Sequence, residues 1–521
     1  MIVLSDSVTP SSLLGYSQAE KLQIYNCMDS ALTAEIHAKL LPMQDEKSKL
    51  VYRYQRAMMA PALTMMRRGV RVNPGRAQEL AFQAEQRCGR FYEQLQKLSF
   101  ALWDRGLESK TSKKSFSISD KKLKTLLYEA LGIPPKLKRN ADDEWVPSVD
   151  RERLEILHNE YMWLRPLIGL VLAVRDESDT ISVLRSGADP DGRLRCSFNI
   201  GGTETLRWSS SKAVSGRGTN LQNITKDLRE IFIPDEGYKF ANFDLKQADS
   251  YTVAYESGDQ AYIDAIESGD IHTFVCRMVW GFKTRQEADR KYYRHFTYRD
   301  IAKRGGHAAN FLGTPHGLSH KLKVPVGLLE DFFRKYFEAF PEIPRWQQKK
   351  AADLQTWGFL ENSFGHRRYF FGRRDDRKTI GEAVAFVPQS NTAVILNNAI
   401  CAIHRKLDPH AAQVLLQVHD SVLVQFPPLA QSTLVPQILK LMKIPVNIGP
   451  RTMTIPTDAM VGWNWGEFNE EEGKNPSGLR KWGKVDVSNP FEHRPRVLCE
   501  SKETALLHRR ISEVHGGPKH Y

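Results

Sequence analysis

Apolar and polar positions along residues 238–251 predict a strand that runs into a helix. The apolar side chains of Phe240 and Phe243 belong to a short alternating segment that ends at Asp244, and a helix is expected to begin near Gln247. A lone carboxylate at such a junction is usually a helix cap or a turn residue. The pattern therefore places Asp244 at a strand edge without assigning it a role.

A second acidic residue lies between two β-rich runs in residues 414–426. The segment His419-Asp420-Ser421 separates the runs, which predicts a tight hairpin with an acid at its turn. Two carboxylates at the tips of buried strands are a natural pair of ligands for hard divalent cations. Asp244 and Asp420 together therefore predict a metal-dependent site of the kind that nucleotidyl transfer needs.

Residues 299–313 lie between these segments and carry a regular basic and aromatic face. Arg299, Lys303, His307 and Phe311 recur every four residues, so they line one side of a helix. Such a face suits a nucleoside triphosphate, with the cations at the phosphates and the rings at the sugar and base. A solvated basic helix face is the alternative, because charge runs are commonly just exposed.

Composition favours a globular protein with a polyanionic partner. The chain has 521 residues and is 41% hydrophobic, with 74 Lys and Arg against 61 Asp and Glu and a net charge of +13. This balance favours nucleic acid over a membrane as the partner. No run of 18 or more apolar residues and no signal peptide is visible. The six cysteines form no C-x-x-C pair, which argues against a zinc site or a disulfide framework.

In chain order, the three segments resemble motifs A, B and C of family A DNA polymerases, the group of bacterial DNA polymerase I and phage replicases. Residues 203–210 (Thr-Glu-Thr-Leu-Arg-Trp-Ser-Ser) are similar to the family's T-x-T-G-R-L-S-S segment, and residues 220–224 match its N-L-Q-N-I segment. Residues 365–368 resemble the template-side loop, and 388–389 include a glutamine like the one that reads the minor groove. The resemblance covers about residues 50–466, through several independent motifs in order.

The resemblance implies an α+β right-hand polymerase fold with an antiparallel palm sheet, helical fingers and a helical thumb. The implied segments are an exonuclease-domain remnant (1–45), thumb and thumb base (46–195), palm with motif A (196–250), fingers with motif B (251–400), palm with motif C (401–466) and a C-terminal extension (467–521). The extension is charged, and one helical run is expected near residues 503–514.

The N-terminal segment predicts a remnant rather than a working exonuclease. Residues 25–29 resemble the third motif of the family's 3′–5′ exonuclease domain, but no D-x-E pair precedes them. One carboxylate, Asp29, cannot hold a two-metal site. We therefore expect a helix packed on the polymerase body and no intrinsic proofreading.

The resemblance also implies the site residues and the cofactor. Two Mg²⁺ ions would be held by Asp244 and Asp420, with the backbone carbonyl of Leu245 as a further ligand. The implied dNTP contacts are Arg299, Lys303, His307, Phe311, Gln247 and Asp249.

The implied DNA contacts are Arg207, Asn220, Gln222, Gln389, His419, Lys113, Lys114 and Lys121. Among these, His419 would meet the primer end, and Arg207 and Gln389 would meet minor-groove acceptors common to all correct base pairs. The lysines belong to a basic run at residues 110–139, either a thumb tip on duplex phosphates or a solvated loop.

One departure from the family pattern concerns how the site distinguishes deoxyribose from ribose in the incoming nucleotide. Five residues after the first catalytic Asp, most members have a Glu that excludes a ribose hydroxyl, whereas this chain has the shorter Asp249. His307 and Phe311 replace the usual Phe or Tyr and the usual Tyr, so the hydroxyl that anchors this gate is absent. The pattern predicts an open pocket or an unanchored carboxylate, and weakened ribonucleotide rejection.

The motifs favour a template-directed DNA polymerase of phage-type replication, which binds primer–template DNA and dNTPs in the cytoplasm, the host's if phage-encoded. A single-subunit RNA polymerase is one alternative, since it shares the H-D-S hairpin. A catalytically inactive palm that only binds nucleic acid is the other. No membrane partner is expected, and a separate exonuclease or processivity protein stays open.

Overall fold

The computed structural model describes residues 15–109, 116–140, 142 and 144–483. The helices in this part of the chain are α1 (Gln18–Leu40), α2 (Glu46–Arg68), α3 (Pro74–Trp103), α4 (Asp120–Lys124), α5 (Arg151–Glu160), α6 (Arg165–Leu184), α7 (Ala248–Ser257), α8 (Gln260–Glu267), α9 (Ile271–Trp280), α10 (Arg285–Ala288), α11 (Tyr298–Asn310), α12 (Pro315–Leu322), α13 (Val326–Ala339), α14 (Glu342–Trp357), α15 (Arg377–Lys406) and α16 (Gln431–Met442).

The strands are short, and most of them form two-stranded ribbons. They are β1 (Val70–Val72), β2 (Leu137–Arg139), β3 (Trp145–Pro147), β4 (Arg193–Leu194), β5 (Cys196–Asn199), β6 (Ser209–Lys212), β7 (Phe232–Ile233), β8 (Lys239–Leu245), β9 (Lys291–Tyr293), β10 (Phe296–Thr297), β11 (Phe359–Glu361), β12 (Arg367–Tyr369), β13 (Gln413–Val418), β14 (Ser421–Phe426), β15 (Val446–Ile448), β16 (Arg451–Met453), β17 (Thr457–Gly462) and β18 (Arg480–Lys481).

The largest sheet is antiparallel, with strand order β13-β14-β8-β17-β18. Its central strand, β8, is buried on both faces: Phe240, Ala241 and Phe243 have no exposed surface. β8 is therefore a core strand, in agreement with the buried strand that the sequence predicts. Asp244, near its end, is exposed, and Asn242 is half-buried.

Helix α15 packs against β13, the edge strand of this sheet, and connects it to the other helices. It contacts α2, α7, α14 and α16 and is buried over most of its length. Its Asn391 and Thr392 are among the buried polar side chains. Buried polar groups need partners, and here those partners are carboxylates of α7, as described below.

A second, smaller core lies between α3, α4, α5 and α6. Leu95, Leu157 and Val171 are fully buried in it, apart from the main core. The predicted thumb segment therefore has its own packing unit. The division at residue 195 does not coincide with a gap in packing, because Leu194 and Cys196 both belong to the main core.

Both ends of the described chain differ from expectation. Helix α1 has no buried residues, and its contact with the body includes a hydrogen bond of 3.0 Å between His37 and Tyr52. The central sheet continues past residue 466, since β18 pairs with β17. The helical run expected near 503–514 lies outside the described residues. Among the described helices, none has the length and apolar character needed to span a membrane.

Candidate active site

Sheet register brings Asp244 and Asp420 together. Asp244 pairs with Ser421, the first residue of β14, and the backbone N–H of Leu245 donates to the Asp420 carbonyl at 3.0 Å. His419 and Asp420 alone connect β13 to β14. The predicted strand end and the predicted hairpin turn are thus neighbours at one edge of the sheet.

The environment of this pair disfavours negative charge. Although Asp244 is exposed, surrounding protein atoms partly remove it from water, and this loss, with repulsion from Asp420 and Asp458, raises its pKa to about 6. Burial also raises the pKa of Asp420, with a further contribution from Asp249 and an opposing one from Arg207. A bound cation would relieve this repulsion.

Sequence reasoning missed Asp458. It lies on β17 directly opposite Asp244, so Ser421, Asp244 and Asp458 form a row across three strands. The Lys246 ammonium lies 3.2 Å from the Asp458 carboxylate. No local motif marks Asp458, because its position depends on which strand pairs with β8.

The backbone around the pair contains three non-glycine residues in the left-handed region. Leu206, Gln247 and His419 have φ of 62°, 47° and 53°. Such conformations cost about 1–3 kcal/mol each and persist where the surrounding structure enforces them. Each of them lies one or two positions before a charged residue of the site. The backbone strain is therefore concentrated where the orientation of these charged side chains is set.

The chemistry of the carboxylates fits a divalent cation. Asp244 and Asp420 offer the hard oxygen donors that Mg²⁺ prefers, and burial, followed by repulsion from neighbouring carboxylates, raises the pKa of both groups. Among the described residues, no group of three or more His, Cys, Asp or Glu side chains is arranged to hold a metal ion. Any remaining ligands would have to be backbone, substrate or water, and the role of the Leu245 carbonyl stays a prediction.

Asp249 is anchored, and the prediction of an unanchored carboxylate was wrong. Arg207 Nη2 donates to both of its carboxylate oxygens at 3.2 Å, and the hydroxyl of the buried Thr392 donates to one of them, also at 3.2 Å. The same Arg207 nitrogen lies 3.5 Å from Asp420 Oδ1. Arg207 therefore bridges a predicted sugar contact and a predicted metal ligand, while no hydrogen bond with His307 is involved.

A pocket of about 360 Å³ lies between α7, α9 and α11. Its lining includes Gln247, Asp249, Asp420, Lys303 and His307. Sequence reasoning placed all five in the site, and the structure brings them to one pocket. The capping box of Thr297 and Asp300 begins α11, which presents this face.

Arg299 and Phe311 are not part of that lining. Arg299 Nη2 donates to Asp270 Oδ1 at 2.9 Å, so its charge is shared with an acid on the neighbouring helix start. Phe311 follows the last residue of α11, with its ring 4.9 Å from that of His307. His272 does line the pocket; burial, with Arg299 and Lys303 nearby, lowers its pKa to about 4.

A family model described as DNA polymerase family A matches residues 90–467. The chain belongs to this family. Its relatives include the thermostable DNA polymerase I of Thermus aquaticus, 26% identical over 76% of this chain and 46% of that protein. The DNA polymerase of Escherichia phage T5 is 24% identical over 76% of this chain and 50% of that protein. The chain spans about half the length of the curated relatives it matches.

A solved structure supports the fold. The POL domain of Pol1 from M. smegmatis, in complex with DNA primer-template and dNTP, aligns with a TM-score of 0.67 at 21% identity. The alignment covers 84% of this chain and 74% of that chain. The mixed helix and sheet architecture described above is therefore that of a family A polymerase domain.

The DNA contacts predicted from the family motifs differ in their surroundings. Gln222 is 8% exposed, and its side-chain amide donates to Gln417 Oε1 at 2.6 Å. Gln417 in turn donates to the His419 carbonyl at 2.7 Å. Gln222 is thus buried behind the hairpin, and its contacts stabilise the turn that carries Asp420. Its contact with DNA stays a prediction.

The other predicted contacts lie nearer the surface. Asn220 caps the short helical turn Leu221–Asn223 through the backbone N–H of Gln222. Gln389 is half-buried on α15, His419 is exposed, and Lys121 is exposed on α4. Lys113 and Lys114 lie outside the described residues. Their contacts with DNA stay predictions.

Proposed function

We propose that this family A chain is a template-directed DNA polymerase that extends a primer 3′-hydroxyl with dNTPs. The observation that carries the proposal is the placement of Asp244 and Asp420 side by side through sheet register, with Asp420 on a pocket that also contains Lys303. Relatives named as DNA polymerases support it.

Asp244 and Asp420 would hold two divalent ions, which we propose to be Mg²⁺. When bound, such ions polarise the attacking hydroxyl and stabilise the leaving pyrophosphate. The two carboxylates would position the ions, and they would not accept a proton during the reaction. Burial and, secondarily, repulsion between carboxylates raise their pKa values, and a bound cation would offset both effects by stabilising the ionised carboxylates.

The pocket would bind the incoming dNTP. Lys303 is exposed on α11 and supplies positive charge for the triphosphate. His307 would contact the sugar or base, and Gln247, which precedes α7 and lines the pocket, would lie beside the nucleotide. Asp249, fixed by Arg207 and Thr392, would approach the sugar C2′ position. Arg299, paired with Asp270, would act on the phosphates only after exchanging that partner.

The duplex would lie along the surface that carries His419, Gln389 and the second core with Lys121. Most binding energy would come from lysine and arginine contacts with phosphates, in line with the net charge of +13. Arg207 would have to leave Asp249 or Asp420 to reach a minor-groove acceptor. A guanidinium carries five N–H donors, so it can exchange one acceptor for another.

We propose phage-type replication and no intrinsic proofreading for this stretch of chain. Asp29 is exposed on α1, which has no buried residues, and a lone carboxylate cannot assemble a two-metal site. Mg²⁺-dependent shortening of a mismatched primer by the pure chain, lost in Asp29→Ala, would contradict this part.

Primer extension with dNTPs, compared with NTPs, tests the function. We expect dNTP incorporation, which Asp244→Asn lowers to under about a hundredth while primer–template affinity is retained. Asp458→Asn is the matched control, since it removes a carboxylate from the same row that already has Lys246 as partner. Preferential NTP use would indicate an RNA polymerase, and DNA binding without any extension would indicate an inactive palm.

A further inference from the structure

A two-stranded hairpin, β9 and β10, follows α9 and precedes α11 in the chain. Tyr293 pairs with Phe296, so a turn of two residues joins the strands. Tyr292 fixes the hairpin to the body: its ring lies 5.6 Å from that of Trp280, and its hydroxyl donates to the Leu328 carbonyl at 3.0 Å. None of the family motifs found in the sequence includes residues 290–297, so the family resemblance assigns the hairpin no role.

The first turn residue, Arg294, has a backbone conformation that other residues adopt more readily. Its φ of 52° is in the left-handed region, where two-residue hairpin turns mostly have Gly, Asn or Asp. An arginine there raises the free energy of the turn, because its Cβ is crowded. The geometry of the turn thus does not account for this residue, which carries an exposed positive charge at the tip of the hairpin.

Arg304, on α11, connects the hairpin with the pocket. It lines the pocket, and its guanidinium carbon lies 5.3 Å from the centre of the Phe296 ring. Because side chains alternate along a strand, Lys291 and Tyr293 lie on the face of β9 opposite to Tyr292. Phe296 shares that face as the cross-strand partner of Tyr293. Positive charge therefore continues from the pocket across one face of the hairpin.

The acids near this face are engaged elsewhere. Glu287 and Asp300 each complete a capping box at the start of a helix, and Asp289 pairs with Arg285 at 3.4 Å. In the part of the chain that the structure describes, no carboxylate forms an ion pair with a lysine or arginine of this face. Its cations are therefore available to an anionic ligand.

The predicted phosphate contacts of α11 leave room for a further cation. Arg299 Nη2 donates to Asp270 at 2.9 Å, so its charge is already shared. Lys303 lines the pocket, but a single ammonium does not match the several negative charges of a triphosphate. Arg304 is the next residue along the helix and lines the same pocket.

We propose that Lys291, Arg294 and Arg304 form a polyphosphate-binding surface that extends the nucleotide pocket. This surface holds the outer phosphates of an incoming triphosphate and the pyrophosphate that leaves after transfer. A guanidinium presents several N–H donors in one plane and binds phosphate oxygens in pairs, which suits neighbouring phosphate groups. The identity of the ligand as a nucleotide rests on the proposed polymerase function.

DNA phosphates are the other polyanion that such cations attract. Arg304 lines the nucleotide pocket itself, and the hairpin face is continuous with it, so the observations favour the phosphates of the nucleotide. Primer–template binding by the variants separates the two ligands.

Calorimetric titration of the full chain with inorganic tripolyphosphate tests the surface without any extension step. A metal-free buffer removes any contribution from ions at Asp244 and Asp420. We expect the wild type to bind tripolyphosphate at least about tenfold more tightly than inorganic phosphate, because several cations act on one ligand. Equal affinities for the two anions would overturn the inference. Tripolyphosphate binding as expected, without primer extension, would support the surface and contradict only the polymerase proposal.

Arg304→Gln should weaken tripolyphosphate binding at least about fivefold, and Arg304→Lys should restore most of it. Arg294→Gly removes the charge and suits the left-handed turn, so it should weaken binding about threefold while the melting temperature stays equal or rises. A loss of binding in this variant therefore does not come from a loss of folding.

Arg285→Gln is the matched control, because Arg285 is an exposed arginine near the hairpin whose charge is already paired with Asp289. Its affinity for tripolyphosphate should stay within about twofold of wild type. Unchanged tripolyphosphate affinity in both Arg304→Gln and Arg294→Gly would overturn the inference. Weaker primer–template binding in these two variants, with tripolyphosphate binding retained, would overturn it as well and assign the surface to DNA.

Discussion

Asp249 illustrates how neighbouring residues determine what one side chain can do. Its carboxylate is shorter than Glu by one methylene, yet three contacts of 3.2 Å from Arg207 and Thr392 fix it. Hydrogen bonds to charged groups contribute about 1.5–3 kcal/mol. Because Asp249 is anchored, we do not expect Asp249→Glu to tighten sugar selection, since the longer side chain would have to displace those contacts.

The hydroxyl of Thr392 should therefore influence sugar selection through Asp249. Thr392→Val keeps the shape and removes the donor, and we expect the ratio of dCTP to CTP insertion efficiency to fall by about three- to tenfold. Thr392→Ser retains the donor and should restore the ratio. A loss of overall rate with the ratio unchanged in Thr392→Val would mean that Thr392 only supports packing.

The charged carboxylate of Asp244 should lower the stability of the folded protein when no metal is bound. Its folded-state pKa of about 6 is above the value in an unfolded chain, so the folded protein loses stability as the pH rises from about 4 to about 6. In metal-free buffer at pH near 7.5, Asp244→Asn should raise the melting temperature by roughly 1–2 °C, and the gain should shrink at acidic pH.

Mg²⁺ provides the complementary measurement for Asp244. Because a ligand of the folded state stabilises it, Mg²⁺ should raise the melting temperature of the wild type more than that of Asp244→Asn. Equal responses of the two proteins to Mg²⁺ would contradict binding at this carboxylate.

At the scale of elements, α11 presents side chains to the pocket on one face only. Lys303 and His307 line the pocket, whereas Ile301 and Ala309 are buried in the main core. The helix is therefore held by packing and leaves its polar side available for ligands.

Lys303→Ala should raise the KM for dNTPs by about ten- to a hundredfold, because it removes a charge-assisted contact. Primer–template affinity should stay within about twofold of wild type. Lys321→Ala, an exposed lysine of α12, serves as the control. If Lys303→Ala weakened DNA affinity and left dNTP kinetics alone, α11 would face the duplex instead.

Local sequence signals predicted the elements that carry the site, and pairing between distant segments determined the rest. The end of β8, the turn at Asp420 and the face of α11 follow from apolar spacing and turn residues within short windows. Asp458 and Thr392 escaped prediction, because only strand pairing and helix packing place them beside Asp244 and Asp249. Family motifs also do not distinguish a surface residue from a buried one.

For the whole molecule, affinity for DNA should depend more on the total surface charge than on any single contact. The second core region presents lysines that are partly neutralised: Lys122 lies 2.7 Å from Glu108, and Lys136 lies 2.7 Å from Glu160. Lys121 is exposed on the same helix as Lys122. Net attraction for DNA should thus depend on the lysines whose charge is not shared.

Lys121→Ala should weaken binding to primer–template DNA to a similar extent for all sequences. The slope of log affinity against log salt should decrease by about one, as expected for one lost phosphate contact. Lys122→Ala, which removes a lysine that is already paired with Glu108, is the matched comparison and should change the slope less. A sequence-dependent loss in Lys121→Ala would contradict a pure phosphate contact.

The hydrogen bond from the Leu245 N–H to the Asp420 carbonyl ties the turn that carries Asp420 to β8, the central strand of the largest sheet. An amide at such a position exchanges with deuterium only when its bond opens, and in a central strand that event approaches global unfolding. Slow exchange at Leu245 would mean that heat or denaturant removes the site and the fold together. If activity were lost at a lower temperature or denaturant concentration than the fold, the change would lie in the nucleotide pocket or the DNA-binding surface. Local unfolding there costs less free energy.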